Sequence, residues 1–301
     1  MKRVTARVFS TVQSQIATKN DLEGRNVNID GNTGEPFNFS RRQFGASLMI
    51  GMIAGPALAA EPSGVELMTA SYNATRFANA RFTAELALAS RSGSVQKRAL
   101  MGVAKLIDKG ASSARLIKFS SPADISGVAT LTIERGGRAD DLWIYLPSFR
   151  RVRRLVSSNR ADPWIGSDFS LGDIVGHKVG DWHHVFAGSE SIGATPTFRV
   201  DSTPGNSAVS NDTGYTRRKS WLRKSDSALI KTEFYDRAGR LIKILTADDM
   251  RVLDARAGKV QPMRLTMRNV QRGSASVMRF NSFRITDAVS ATEVAPAALQ
   301  S

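Results

Sequence analysis

The chain has 301 residues, with 42 Lys and Arg against 27 Asp and Glu, a net charge of +15, and no cysteine. The lack of cysteine excludes disulfides, thiolate metal sites, cysteine nucleophiles and anchoring through a lipidated cysteine. The basic excess suggests nucleic acid, and the run Arg150, Arg151, Arg153, Arg154, with Arg160 after it, sharpens that suggestion.

In chain order, residues 1–39 are polar and without periodicity, and they are assigned no fold. Ser40, Arg41, Arg42, Gln43 and Phe44 then precede an apolar, Gly-rich run from Gly45 to Leu58, which ends in Ala57-Leu58-Ala59. A charged start, a short apolar middle and small residues at Ala57 and Ala59 make a secretory signal. The arginine pair is similar to a twin-arginine signal, although Gly45 and Ala46 stand where the consensus places Leu and Lys. The apolar run is shorter than the ~18 residues that a spanning helix needs.

The expectation is therefore a leading segment and signal over residues 1–59, removed on export, and one domain over 60–301. The mature part keeps 35 basic against 23 acidic residues, +12 over 242 residues, and holds no further apolar stretch of membrane length. That places a soluble protein in the periplasm, where nucleic acid is not an expected partner. Anionic headgroups, an acidic protein partner or plain solvation remain for the basic surface.

The mature part opens on Ser63-Gly64-Val65-Glu66, a capping-box pattern. It leads into an amphipathic helix with Val65, Met68 and Tyr72 on one face. Strands follow. ALMGVAKLI and SARLIKF flank a turn at Asp108-Lys109-Gly110, and TLTIER and DLWIYL flank a hairpin at Gly136-Gly137. WHHVFA, TFRVDS, YTRRKSWLRK, ALIKTEFYD, RLIKILTAD, MRLTMRNV and SVMRFNSFRI come next. About eleven short strands at such spacing predict a large antiparallel sheet or barrel. Met263, Leu265 and Met267 alternate with Arg264, Thr266 and Arg268, while Leu142-Trp143-Ile144-Tyr145-Leu146 is apolar on both faces and needs cover on both. A curved sheet with few helices leaves a cavity, and Met, Leu and Phe lining suits apolar ligands.

Catalytic chemistry finds no support. His183 and His184 are adjacent on a strand and point to opposite faces, so they do not share a metal. Ser94-Val95-Gln96-Lys97 matches S-x-x-K but lacks the companion K-T-G. Asp162, Asp168 and Asp173 fit no known calcium loop, and Ser170 to Asp173 reads as the cap of a short helix. The sequence calls for no cofactor and no metal.

Four stretches occur together in order: FSSPADISGVATL, DLWIYLPSFRRVRRLVSSNRADPWIGSDFSLGDI, IKTEFYDRAGRLIKIL and GKVQPMRLTMRNV. They resemble the LolA-like family of outer-membrane lipoprotein-sorting proteins, in its branch associated with RND-type transporters. The resemblance covers about residues 63 to 287. It implies a mainly β chain folded as a strongly curved antiparallel half-barrel, LolA/LolB-like, with helices covering the concave face. It further implies a carrier of acyl chains in that cavity, across the periplasm, with no catalytic residues, and it leaves the cargo open. Each methylene resists water by ~0.8 kcal/mol, so a 16-carbon chain needs a carrier that offsets roughly 12 kcal/mol.

Alternation assigns the cavity lining to Trp143, Tyr145, Ile230, Phe234, Met263, Leu265 and Met267, a set that a one-residue slip in register would reverse. Arg150, Arg151, Arg153 and Arg154 follow the strand ending at Pro147 and are expected at the cavity rim, against a cargo headgroup or an acidic transporter surface. The alternative pairs Arg153 and Arg154 with Asp162 and Asp168. The leading reading is a non-enzymatic lipid or lipoprotein carrier. An accessory subunit of an RND-type transporter and a lipid hydrolase are the other two.

Overall fold

A computed structural model describes residues 61–156 and 160–301. The expected signal residues Arg41, Arg42, Ala57 and Ala59 lie outside them, as does the boundary at residue 59. Among the described residues no helix is long and apolar enough to cross a membrane.

The first helix, α1 (Gly64–Ala74), starts with the predicted capping box: Glu66 N–H donates to Ser63 Oγ and the Glu66 carboxylate accepts from Ser63 N–H. Its buried stripe is Gly64, Leu67, Ser71 and Ala74. Val65, expected inside, is 52% exposed. Residue 64 has to be glycine, because a Cβ there would come within 2.7 Å of the His184 backbone.

Thirteen strands follow: β1 (Asn79–Ala89), β2 (Val95–Ile107), β3 (Ser112–Ser121), β4 (Ala129–Glu134), β5 (Asp141–Leu146), β6 (Arg151–Leu155), β7 (Trp182–Ile192), β8 (Thr195–Pro204), β9 (Arg217–Arg223), β10 (Leu229–Tyr235), β11 (Leu241–Asp254), β12 (Lys259–Asn269) and β13 (Ser274–Ile285). Two short α-helices, α2 (Leu171–Val175) and α3 (Ser207–Thr213), are the others among the described residues. All strands join one antiparallel sheet in the order β6-β5-β4-β3-β2-β1-β13-β12-β11-β10-β9-β8-β7. Every neighbour except β1 and β13 is a sequence neighbour, so hairpins build two meanders that are joined at their middle.

The edges are β6 and β7, which are consecutive in the chain. The sheet is thus an open half-barrel, and the chain from β6 to β7 has to bridge its two edges. That bridge, residues 160–181, packs onto the inner face. Trp164, Phe169, Leu171, Ile174 and Val175 join Phe82, Leu86, Leu100, Ile117, Phe119 and Leu142 in the largest core.

A second core lies on the outer face. Ala114, Leu116, Ala129, Leu131 and Ile133 are covered there by Val289, Val294 and Leu299 of the C-terminal tail. β5 is covered on both faces, as its sequence requires: Leu142, Ile144 and Leu146 face inward, and Trp143 and Tyr145 pack under the tail.

Two strands differ from the reading of the sequence. β1 (NARFTAELALA) is rich in Ala, Glu and Leu and reads as a continuation of α1. β6 (RVRRL) hides its single alternation under arginines. Partner strands on the sheet override both local preferences.

Candidate functional site

Between the inner face, α1 and the bridging segment lies a cavity of about 330 Å³. Phe82, Phe280 and Phe283 form one apolar wall with mutual ring centroids 5.5 to 5.6 Å apart, and Phe77 adds a fourth ring 5.0 Å from Phe283. Phe280 and Phe283 are three residues apart, yet both face inward. Thr83 pairs with Ser282 and Ala84 with Phe280, so Asn281 is the extra residue of a bulge. Met267, Met278, Leu265 and Leu245 extend the wall across β13, β12 and β11, and Met68 closes it from α1.

Of the seven residues expected to line a cavity, Phe234, Leu265 and Met267 do so. Trp143 and Tyr145 do not: the C-terminal tail covers them on the outer face, so the inward side of β5 is Leu142, Ile144 and Leu146. Ile230 does not either. A bulge between Leu229 and Lys231 shifts the alternation, so Leu229 and Thr232 line the wall instead. Met263 is buried at 1% exposure, but outside the cavity wall.

The arginine run lies on or beside edge strand β6. None of Arg150, Arg151, Arg153 and Arg154 lines the cavity. Arg150 adopts a left-handed conformation (φ 47°) that ends the turn Pro147–Phe149 and starts edge strand β6. Arg154 pairs with Asp141 and lies 5.8 Å from the Trp143 ring, on the outer face. Arg151 and Arg153 stand opposite Leu146 and Ile144 and are exposed. Asp168 pairs with neither Arg153 nor Arg154, contrary to the alternative. Its carboxylate accepts from Ser274 Oγ (2.6 Å) and Ser276 Oγ (2.8 Å) on β13.

That bond belongs to a set that fixes the bridging segment. Arg160 pairs with Asp140 and donates to the Gly176 carbonyl at 2.8 Å, and Lys178 reaches Asp140 at 2.7 Å. Trp164 is wholly buried against Phe119. Ser170 and Asp173 cap α2 reciprocally. Among the described residues no cluster of His, Asp or Glu could hold a metal.

Part of the cavity wall is charged. Asp173 accepts from Tyr215 Oη at 3.1 Å and lies 3.5 Å from Lys243 Nζ and 3.4 Å from His177 Nε2. Burial works to raise its pKa, but Lys243 and His177 hold it well below the usual carboxylate range. Burial lowers His177 to about 4, and Arg218 nearby adds to that effect, so the imidazole is neutral. Its Nδ1 is buried without a partner. Arg218 is 4% exposed, stacks 3.8 Å over Trp182, and is lowered to about 9 by burial, against the pull of Asp173. On another side, Arg76 pairs with Glu134 at 2.7 Å, Tyr72 joins them, and Arg115 donates to the Ile174 carbonyl at 2.8 Å.

The remaining histidines carry no site. His183 is exposed, while His184 is buried with Ser202 at 2.8 Å. Lys97 of the S-x-x-K match is exposed and pairs with Glu85.

The family model described as "Uncharacterized protein" matches residues 111–301. The chain belongs to that family. Solved structures give the fold its wider name. A candidate outer membrane lipoprotein-sorting protein domain from Vibrio parahaemolyticus is 24% identical with a TM-score of 0.73, over 79% of this chain and 98% of that one. A DUF1329 family protein from Desulfovibrio piger is 25% identical with the same TM-score and coverage. A LolA superfamily protein from Nitrosomonas europaea is 19% identical with a TM-score of 0.60, over 78% and 98%. The half-barrel is therefore LolA-like. No curated protein sequence matches the chain.

Proposed function

We propose that this LolA-like protein is a periplasmic carrier that takes the acyl chain of a lipoprotein or another lipid into its inner cavity for transfer between membranes. The observation that carries the reading is the cavity wall, where three Phe rings, two Met and two Leu gather on one face of a sheet, with Phe77 beside them, in a space that the bridging segment cannot fill. The similar fold of the lipoprotein-sorting domain from Vibrio parahaemolyticus is consistent with such cargo. An apolar cavity of ~150 Å³ holds one benzene, so about 330 Å³ suits roughly twelve carbons, one acyl chain of medium length. Burying twelve methylenes offsets on the order of 10 kcal/mol of aversion to water, enough to make a soluble carrier worthwhile.

The test is saturable uptake of a fluorescent fatty acid by the purified protein. One molecule per chain is expected, with uptake weakened by Leu265→Gln, which puts an amide on the wall. Absence of uptake, or uptake indifferent to that change, overturns the reading.

A second reading, docking to an RND-type transporter without cargo, rests on Arg150, Arg151 and Arg153. No ion pair satisfies these three among the described residues, and they stand on or beside exposed edge strand β6. Co-purification with a transporter that is lost when they are replaced, from a protein that takes up no lipid, would support it.

A further inference from the structure

The charged groups of the cavity wall are unevenly paired. Arg76 has Glu134, and Asp173 has Lys243, but among the described residues no carboxylate pairs with Arg115 or Arg218. Lys105, also at the wall, turns its ammonium away to Asn79 and the Val289 carbonyl. Arg115 at least donates to the Ile174 carbonyl. Arg218 has nothing of the kind among the described residues. Its one face lies on Trp182, its Nε is buried and unpartnered, and Asp173 and Asp181 attract it only through space. A guanidinium withdrawn from water without hydrogen bonds is costly unless an anion completes it. Its planar fork matches a carboxylate or a phosphate with two parallel bonds.

We propose that the cavity binds a single-chain amphiphile with one compact anionic headgroup, seated on the Arg218 fork, with its chain along the Phe82, Phe280 and Phe283 wall. This rests on the acyl-carrier reading and adds the headgroup and the residue that seats it. The Trp182 ring under the guanidinium holds the fork in one plane, so the donors are organised before the ligand arrives. The arginine run on β6 plays no part in the recognition.

The experiment titrates the purified protein calorimetrically with three ligands of equal chain length: dodecanoate, dodecyl phosphate and uncharged monododecanoyl glycerol. At least one anion should bind about tenfold tighter than the neutral ligand, or better, as a charged hydrogen-bonded pair allows. Which of the two does so separates a fatty acid from a phosphate-bearing lipid. Arg218→Met should remove the preference and leave neutral binding within about twofold, while Arg218→Lys restores part of it. Equal binding of all three by the unaltered protein overturns the proposal without any variant. A preference that survives Arg218→Met in a protein with native circular dichroism also overturns it. If none of the three binds, it is the carrier reading that fails.

Discussion

Trp164→Ala tests whether the bridging segment is part of the core or a loose cover. Trp164 is wholly buried, packs 5.3 Å from the Phe119 ring and donates from Nε1 to Thr130 Oγ1 at 3.4 Å. Its neighbours Phe169, Leu171, Ile174 and Val175 share the same cluster. Truncating a buried Trp costs about 3–5 kcal/mol, from lost transfer energy and the cavity left behind. The polar bonds of Arg160, Asp168 and Asp173 hold the flanks of the segment, so little collapse into the space is available. For a chain of this size 1 kcal/mol shifts the melting temperature by about 2–4 °C, so a fall of roughly 6–20 °C is expected. The assay is thermal unfolding by circular dichroism, with urea titration for the free energy. A loss below about 1 kcal/mol would refute the reasoning, because it would mean that the segment leaves the sheet without disturbing the rest.

Gly64→Ala should cost about 1–3 kcal/mol by urea titration, since the new methyl meets the His184 and Val185 backbone at 2.7 to 2.8 Å; an unchanged midpoint would show that α1 shifts freely. Replacing Arg150, Arg151, Arg153 and Arg154 together by Gln should weaken binding to anionic phosphatidylglycerol vesicles at low salt. Melting should move by no more than about 2–4 °C, because among the described residues Arg154 alone of the four is ion-paired; a larger drop would assign the run a structural role. Stability should fall with acid. His177 titrates at about 4 when folded against 6.5 otherwise, so the unfolded chain binds more protons between these values. ΔG should therefore decline as pH falls from about 6.5 to 4, by at most about 1.4 kcal/mol per unit from this group. His177→Gln should flatten that slope, and an unaltered slope would contradict the assignment.

The sheet was legible in the sequence because its hairpins are signalled locally, as at Gly136-Gly137, and because β12 alternates cleanly. β1 and β6 were not, since their sequences favour helix or solvent and only their neighbours on the sheet make them strands. The arginine run stands out by composition, yet none of its four residues is part of the cavity wall. The cavity itself was legible in part. Ile230 was displaced by a bulge that no local pattern marks, and Trp143 and Tyr145 were reversed because both faces of β5 are apolar and only the C-terminal tail decides which is outer. The wall of Phe77, Phe82, Phe280 and Phe283 comes from two distant parts of the chain and carries no joint signal. Arg218 sits in an ordinary-looking run with Arg217 and Lys219, and only burial against Trp182 distinguishes it.

The central claim is that the cavity carries an acyl chain, and native mass spectrometry with lipid extraction tests it most directly, on protein purified from the cells that make it. A co-purifying acyl-chain species in near-equal amount to the protein is the expected result. An empty protein that also fails to take up a fluorescent fatty acid would contradict the account.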